Sequence, residues 1–212
     1  MTKISSSSGQ WWHLKDVESL KSVPREGLEP FEIDALDGLI ALRDGEDYAN
    51  TDGRYDRAYE KLTSAFKAYV RRDVKDPCFV SKLYLWRGIA LNENKDLDFV
   101  ERNARAIALY KSGLRRAETA PDCVLMQMAL NNSAGVAFHH KRGQDPMVDI
   151  PPVSFKYYEK VLQLYLQLKR KDHCAKTIME TVERNSGYKV RRPETPAVVG
   201  GGGGTASPRN VI

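Results

Sequence analysis

The chain has 212 residues, 42% apolar and 29% charged, which suits one domain with its own core and excludes a largely disordered chain. Its net charge of +5 is uneven: residues 1–50 carry 5 Lys/Arg against 10 Asp/Glu, and residues 51–212 carry 28 against 18, so the body favours acidic partners. Three cysteines (Cys78, Cys123, Cys174) lack the even count of a disulfide framework and the close spacing of a zinc site, so three reduced thiols in a reducing compartment are expected.

Residues 1–29 read as a lead-in with at most a short helix; they contain a run of serines, the pair Trp11-Trp12, and Pro24. No apolar signal-peptide region follows Met1. No stretch reaches the roughly 18 apolar residues that span a bilayer. A cytoplasmic location is therefore expected.

From Phe31 apolar residues recur at helical spacing. Ile33, Leu36 and Ile40 form the first stripe, which Asp44-Gly45 ends. Tyr55, Ala58, Tyr59, Leu62, Phe66, Tyr69 and Val70 form the second, stopped by Lys75-Asp76-Pro77 because proline cannot continue a helix. Phe79, Leu83, Trp86 and Ala90 make the third, closed by Asn92 to Lys95. Val100, Ala104, Ile107, Ala108 and Leu114 make the fourth, ending at Ala120-Pro121-Asp122. A fifth helix runs from Val124 to Phe138, a sixth from Phe155 to Leu168 and a short seventh from Ala175 to Val182. Nothing alternates with period two over a strand's length. The fold class is all-α: six to seven helices over residues 30–187, followed by a tail at 188–212 that is basic, then Pro-rich, then carries five glycines. That tail is too polar to offset its chain entropy and is expected to be disordered. Thr195-Pro196 and Ser207-Pro208 in it are candidate phosphorylation sites.

Chemistry is sparse. His139 and His140 are adjacent on a helix and point about 100° apart, which does not suit a shared metal. His173-Cys174 lacks an orienting third group. The glycine run lacks the Lys-Ser/Thr and strand–helix setting of a phosphate loop, and Asn131-Asn132-Ser133 matches a sequon inside a helix. No enzyme activity, cofactor or metal is expected.

Helices closing in pairs, with a proline at each pair's end, mark stacked repeats. Asp52-Gly53-Arg54-Tyr55-Asp56-Arg57-Ala58 followed by Asp76-Pro77, then Tyr84, Gly88, Leu91, Asp96 and Leu97, and later Ala134, Gly135 and Phe138, resemble the tetratricopeptide repeat. The resemblance implies an antiparallel helix-hairpin solenoid, with Gly88 and Gly135 admitting the paired helix. Gly88 and Gly135 lie 47 positions apart rather than about 34, and Arg87 stands where that family places a leucine. Leu85-Trp86-Arg87, Asp122-Cys123 and Phe155-Lys156 are similar to the regulator of microtubule dynamics family, which implies a partner such as tubulin and a cytoskeletal location.

In such arrays the first helix of each pair lines a groove, which makes Lys82, Arg87, Asn92, Gln127, Asn131 and Asn132 the candidate partner-binding residues. Ile89 and Val136 stand where the chaperone-tail-binding subclass carries asparagine, which disfavours that role. Basic clusters at helix ends (Arg71-Arg72, Arg115-Arg116, Lys141-Arg142 and Lys169-Arg170-Lys171) complement helix dipoles and form a candidate basic surface. Nucleic acid is the alternative partner, although no aromatic-interleaved RNA motif is present.

Overall fold

A computed structural model describes residues 16–44, 53–73, 75–140, 151–168 and 170–186. Among them are eight α-helices and no strand: α1 (Val17–Lys21), α2 (Pro30–Arg43), α3 (Arg54–Tyr69), α4 (Pro77–Glu93), α5 (Phe99–Ala117), α6 (Val124–His140), α7 (Pro152–Gln167) and α8 (His173–Ser186). The expected tail, its phosphorylation candidates, most of the lead-in, Lys141-Arg142 and Lys169 lie outside the described residues.

Side chains placed by the sequence set the helix starts. Asp16, Asp76 and Asp98 accept from the backbone N–H groups of Ser19, Cys78 and Glu101 at 2.7, 2.8 and 2.9 Å. Glu29 and Glu32 form a reciprocal capping box around Pro30. Gly53, at φ 65°, turns the chain into α3, a left-handed conformation that favours glycine. The second stripe closes earlier than its stop signal, since α3 ends at Tyr69 and Val70 is its C-cap.

Helices α2/α3, α4/α5 and α6/α7 form three successive close pairs, and α8 packs on α6 and α7. The partners in a pair run antiparallel: the Ser81 hydroxyl near the start of α4 donates to the Gly113 carbonyl near the end of α5 at 3.0 Å, and Gly88 faces Tyr110. Helix α4 buries Phe79, Val80, Leu83, Leu85, Trp86, Ala90 and Leu91, because neighbours cover it on two sides. The main core runs from Leu20 to Ala137. A smaller one gathers Met128, Tyr158, Val161, Leu164, Ala175, Met179 and Val182, and α6 contributes to both. Each fully buried Leu or Val contributes about 1.5–3 kcal/mol.

Two of the three cysteines are not free thiols. Cys78 at the start of α4 and Cys123 just before α6 are disulfide-bonded, with Cα atoms 5.3 Å apart. A sequence separation of 45 hid this pairing. The whole of α5 intervenes in the chain, but the starts of α4 and α6 lie side by side in space. Cys174 remains free and exposed.

Candidate functional site

The predicted groove residues separate into two kinds. Lys82, Asn92 and Asn132 are half-buried. Burial holds the Lys82 ammonium down to about 8, against a smaller opposing pull from Asp76 and Cys174. Gln127 and Asn131 are engaged within the fold instead: the Gln127 amide donates to the Ala117 carbonyl at 3.1 Å, and the buried Asn131 amide to the Gln127 carbonyl at 2.8 Å. The first bond ties the end of α5 to α6, and the second stays within α6.

Arg87 departs furthest from its expected place. It is only 9% exposed and points into the junction of α3, α4 and α5. Its Nε donates to the Thr63 hydroxyl at 3.1 Å. Its guanidinium carbon lies 4.7 Å from the Phe66 ring centroid, 5.6 Å from Tyr59 and 5.9 Å from Tyr84. Such cation–π contacts suit a desolvated arginine, whose planar charge is weakly hydrated. No acidic side chain among the described residues pairs with it.

Arg105 of α5 reaches the same place, 5.8 Å from the Tyr59 centroid, while pairing with exposed Glu101 at 3.2 Å. Burial pushes the Tyr59 phenol up, but hydrogen bonding and attraction from Arg105 and Arg87 outweigh it and hold the phenol below its ordinary value. The junction thus holds a buried Arg87, a half-buried Tyr59 and an exposed Arg105. Tyr59 was read only as part of the second apolar stripe, and Thr63 and Arg105 escaped the sequence reading. Tyr59, Thr63 and Phe66 share one face of α3 at helical spacing, but this spacing reads equally as core.

The candidate basic surface is less positive than its arginines suggest. Arg115, Arg116, Arg170 and Lys171 are exposed, and Arg115 donates to the Ser112 hydroxyl at 3.0 Å. The C-termini of α3, α5 and α7 reach the end of the molecule where α4, α6 and α8 begin. Asp73, Asp76, Glu118, Asp122 and Asp172 are exposed there among the cations. A cleft of about 810 Å³ between α2 and α3 is charged as well, but Asp34 already accepts from Lys61 and Ser64, and Asp37 pairs with Arg25. No group of His, Cys, Asp and Glu able to hold a metal occurs among the described residues, and none of their helices is long and apolar enough to cross a membrane.

Comparison with known proteins adds no identification: no family model, curated protein or solved structure matches the chain significantly.

Proposed function

We propose that this chain is a non-enzymatic helical-repeat module of tetratricopeptide-like organisation that binds an acidic protein partner. The observation that carries this reading is a contact made three times. Gly38 faces Leu62, Gly88 faces Tyr110 and Gly135 faces Tyr158, each joining the first helix of a pair to the second. A Cβ at these glycines would lie 2.7, 2.3 and 2.6 Å from the opposing side chain. One contact at matching places in three consecutive pairs is what a duplicated structural unit produces, and stacked units of this kind present long surfaces to partners.

The charge balance of residues 51–212, 28 Lys/Arg against 18 Asp/Glu, supports an acidic partner. The resemblance to the regulator of microtubule dynamics family makes the acidic tails of tubulin the first partner to test. Co-sedimentation with microtubules over a salt series should show binding that falls steeply as salt rises, because exposed charges are screened beyond about 8 Å at physiological salt. Reversing Arg115, Arg116, Lys169, Arg170 and Lys171 to Glu should reduce it further. Absence of pelleting at low salt would remove tubulin from the reading. Capture of partners from cytosol that disappears after nuclease treatment would replace the acidic protein with nucleic acid.

A further inference from the structure

We propose that Cys78, Cys123 and Cys174 form a thiol–disulfide exchange site, in which Cys174 attacks Cys123 and moves the bridge from α4–α6 to α6–α8. The inference is independent of the acidic-partner reading. It starts from position. Helices α4, α6 and α8 begin at one end of the molecule, and each has a cysteine there: Cys78 is the second residue of α4, Cys123 directly precedes α6, and Cys174 is the second residue of α8. Helix α6 packs against both α4 and α8. A disulfide needs Cα atoms about 4.4–6.8 Å apart, so it forms only between neighbours in the stack. Cys123 therefore has a cysteine on either side, and the bridge to Cys78 uses one of them.

Packing brings the other two starts together as well. Ala175, next to Cys174, is buried in the core against which Val124 and Leu125, next to Cys123, pack. Cys174 itself is exposed and carries a free thiol. Lys82 connects it to the existing bridge: it stands one turn after Cys78 on the same face of α4, and its ammonium is attracted by Asp76 and by Cys174. The step balances within one chain. The Cys174 thiolate attacks the Cys123 sulfur, the Cys123–Cys174 bond forms, the Cys78–Cys123 bond breaks, and the electron pair leaves on Cys78. The proton that Cys174 gives up to solvent is replaced by one taken up at Cys78, so no oxidant or reductant is consumed. Cys78 is the favoured leaving group: it is half-buried and its thiolate forms one turn from the Lys82 ammonium, whereas Cys123 is 2% exposed and a thiolate there would be desolvated. Exchange releases α4 from α6 and fastens α8 to the stack.

The test holds the full-length protein in mildly alkaline native buffer without reductant, quenches it by acidification, labels free thiols with N-ethylmaleimide and maps the unreduced digest by mass spectrometry. The expected result is a Cys123–Cys174 peptide at about 1–10% of the linked material, as for a minor state in equilibrium with a major one. A matching share of label should appear on Cys78, and neither signal should change on dilution. Both should vanish in Cys174→Ser, a variant at an exposed position that keeps the fold. Label confined to Cys174 in the parent, with no Cys123–Cys174 peptide, would overturn the proposal. Cys78 label that persists in Cys174→Ser would also overturn it, because the bridge would then be incompletely formed rather than exchanging. Cys174 found only in links between two chains, rising with concentration, would overturn it in favour of a contact between copies.

Discussion

The junction between α3 and α4 and the junction between α5 and α6 join the same kinds of elements, yet they are built from different materials. The first is aromatic and charged: Phe66 meets Tyr84 with ring centroids 4.8 Å apart, Arg87 lies among the rings, and Asn94 donates to the Asp56 carboxylate at 2.8 Å. The second is small and closed. Gly113 admits Tyr84 and Leu130, buried Asn103 donates to the Ala137 carbonyl at 2.8 Å, and Gln127 reaches the Ala117 carbonyl. The disulfide then ties α4 to the start of α6 across that second junction. The two seams thus differ in chemistry although each joins the end of one helix pair to the start of the next.

The largest expected effect breaks the closed seam. Cys78→Ser opens a covalent loop with a sequence separation of 45, and the chain-entropy relation gives about 4 kcal/mol for such a loop, with measured values typically about 2–4. The variant should melt below the parent protein in oxidising buffer and together with it in reductant. Equal melting in both buffers would mean that the bond contributes nothing.

A smaller effect tests the contact inside each pair. Gly88→Ala and Gly135→Ala push a methyl against Tyr110 and Tyr158, and each should cost about 1–3 kcal/mol through overpacking. Gly88 meets the tighter ring, at 2.3 Å against 2.6 Å, so denaturant midpoints should order the two variants accordingly. Unchanged midpoints for both would remove the basis of the repeated unit.

The smallest is a pH effect at Lys82 of α4. The Lys82 amine loses its proton near 8 in the folded chain and near 10.5 when unfolded. Below pH 8 both states are charged and the folded one bears the desolvation. Between pH 8 and 10.5 the unfolded state holds more protons, so this residue's contribution to stability rises with pH. Taken whole, the difference would be about 3 kcal/mol, but water reaches the half-buried ammonium and about 1–2 is expected. Lys82→Met should therefore be more stable than the parent at pH 7, with the gap closing by pH 10. A constant gap in melting temperature over that range would contradict the assignment.

The helices were legible in the sequence because their signals are local. Asp76-Pro77 opens α4, Gly53 precedes α3, and the stripes of Leu36, Leu62, Leu83 and Val161 mark buried faces. The close approach at Gly88 and Gly135 was legible only through the resemblance to the tetratricopeptide repeat. The place of Arg87 was not. Arg87 looks like a groove residue among the polar positions of first helices, and only the neighbouring α3 shows that Thr63, Tyr59 and Phe66 receive it. The disulfide was hidden in the same way, since adjacency across a stack leaves no fixed spacing in the chain. Asn131, another polar residue of a first helix, donates within α6 to the Gln127 carbonyl, a bond that spacing alone does not reveal.

The bond between Cys78 and Cys123 also changes the topology of the polypeptide. Everything from α4 through α5 becomes a ring, and the turn at Asp96–Asp98 lies on it. A protease that severs this turn produces no free fragment. The cleaved molecule keeps its full mass on a non-reducing gel and separates into two bands only after a thiol is added, so an intact-looking band gives no evidence of an unbroken backbone.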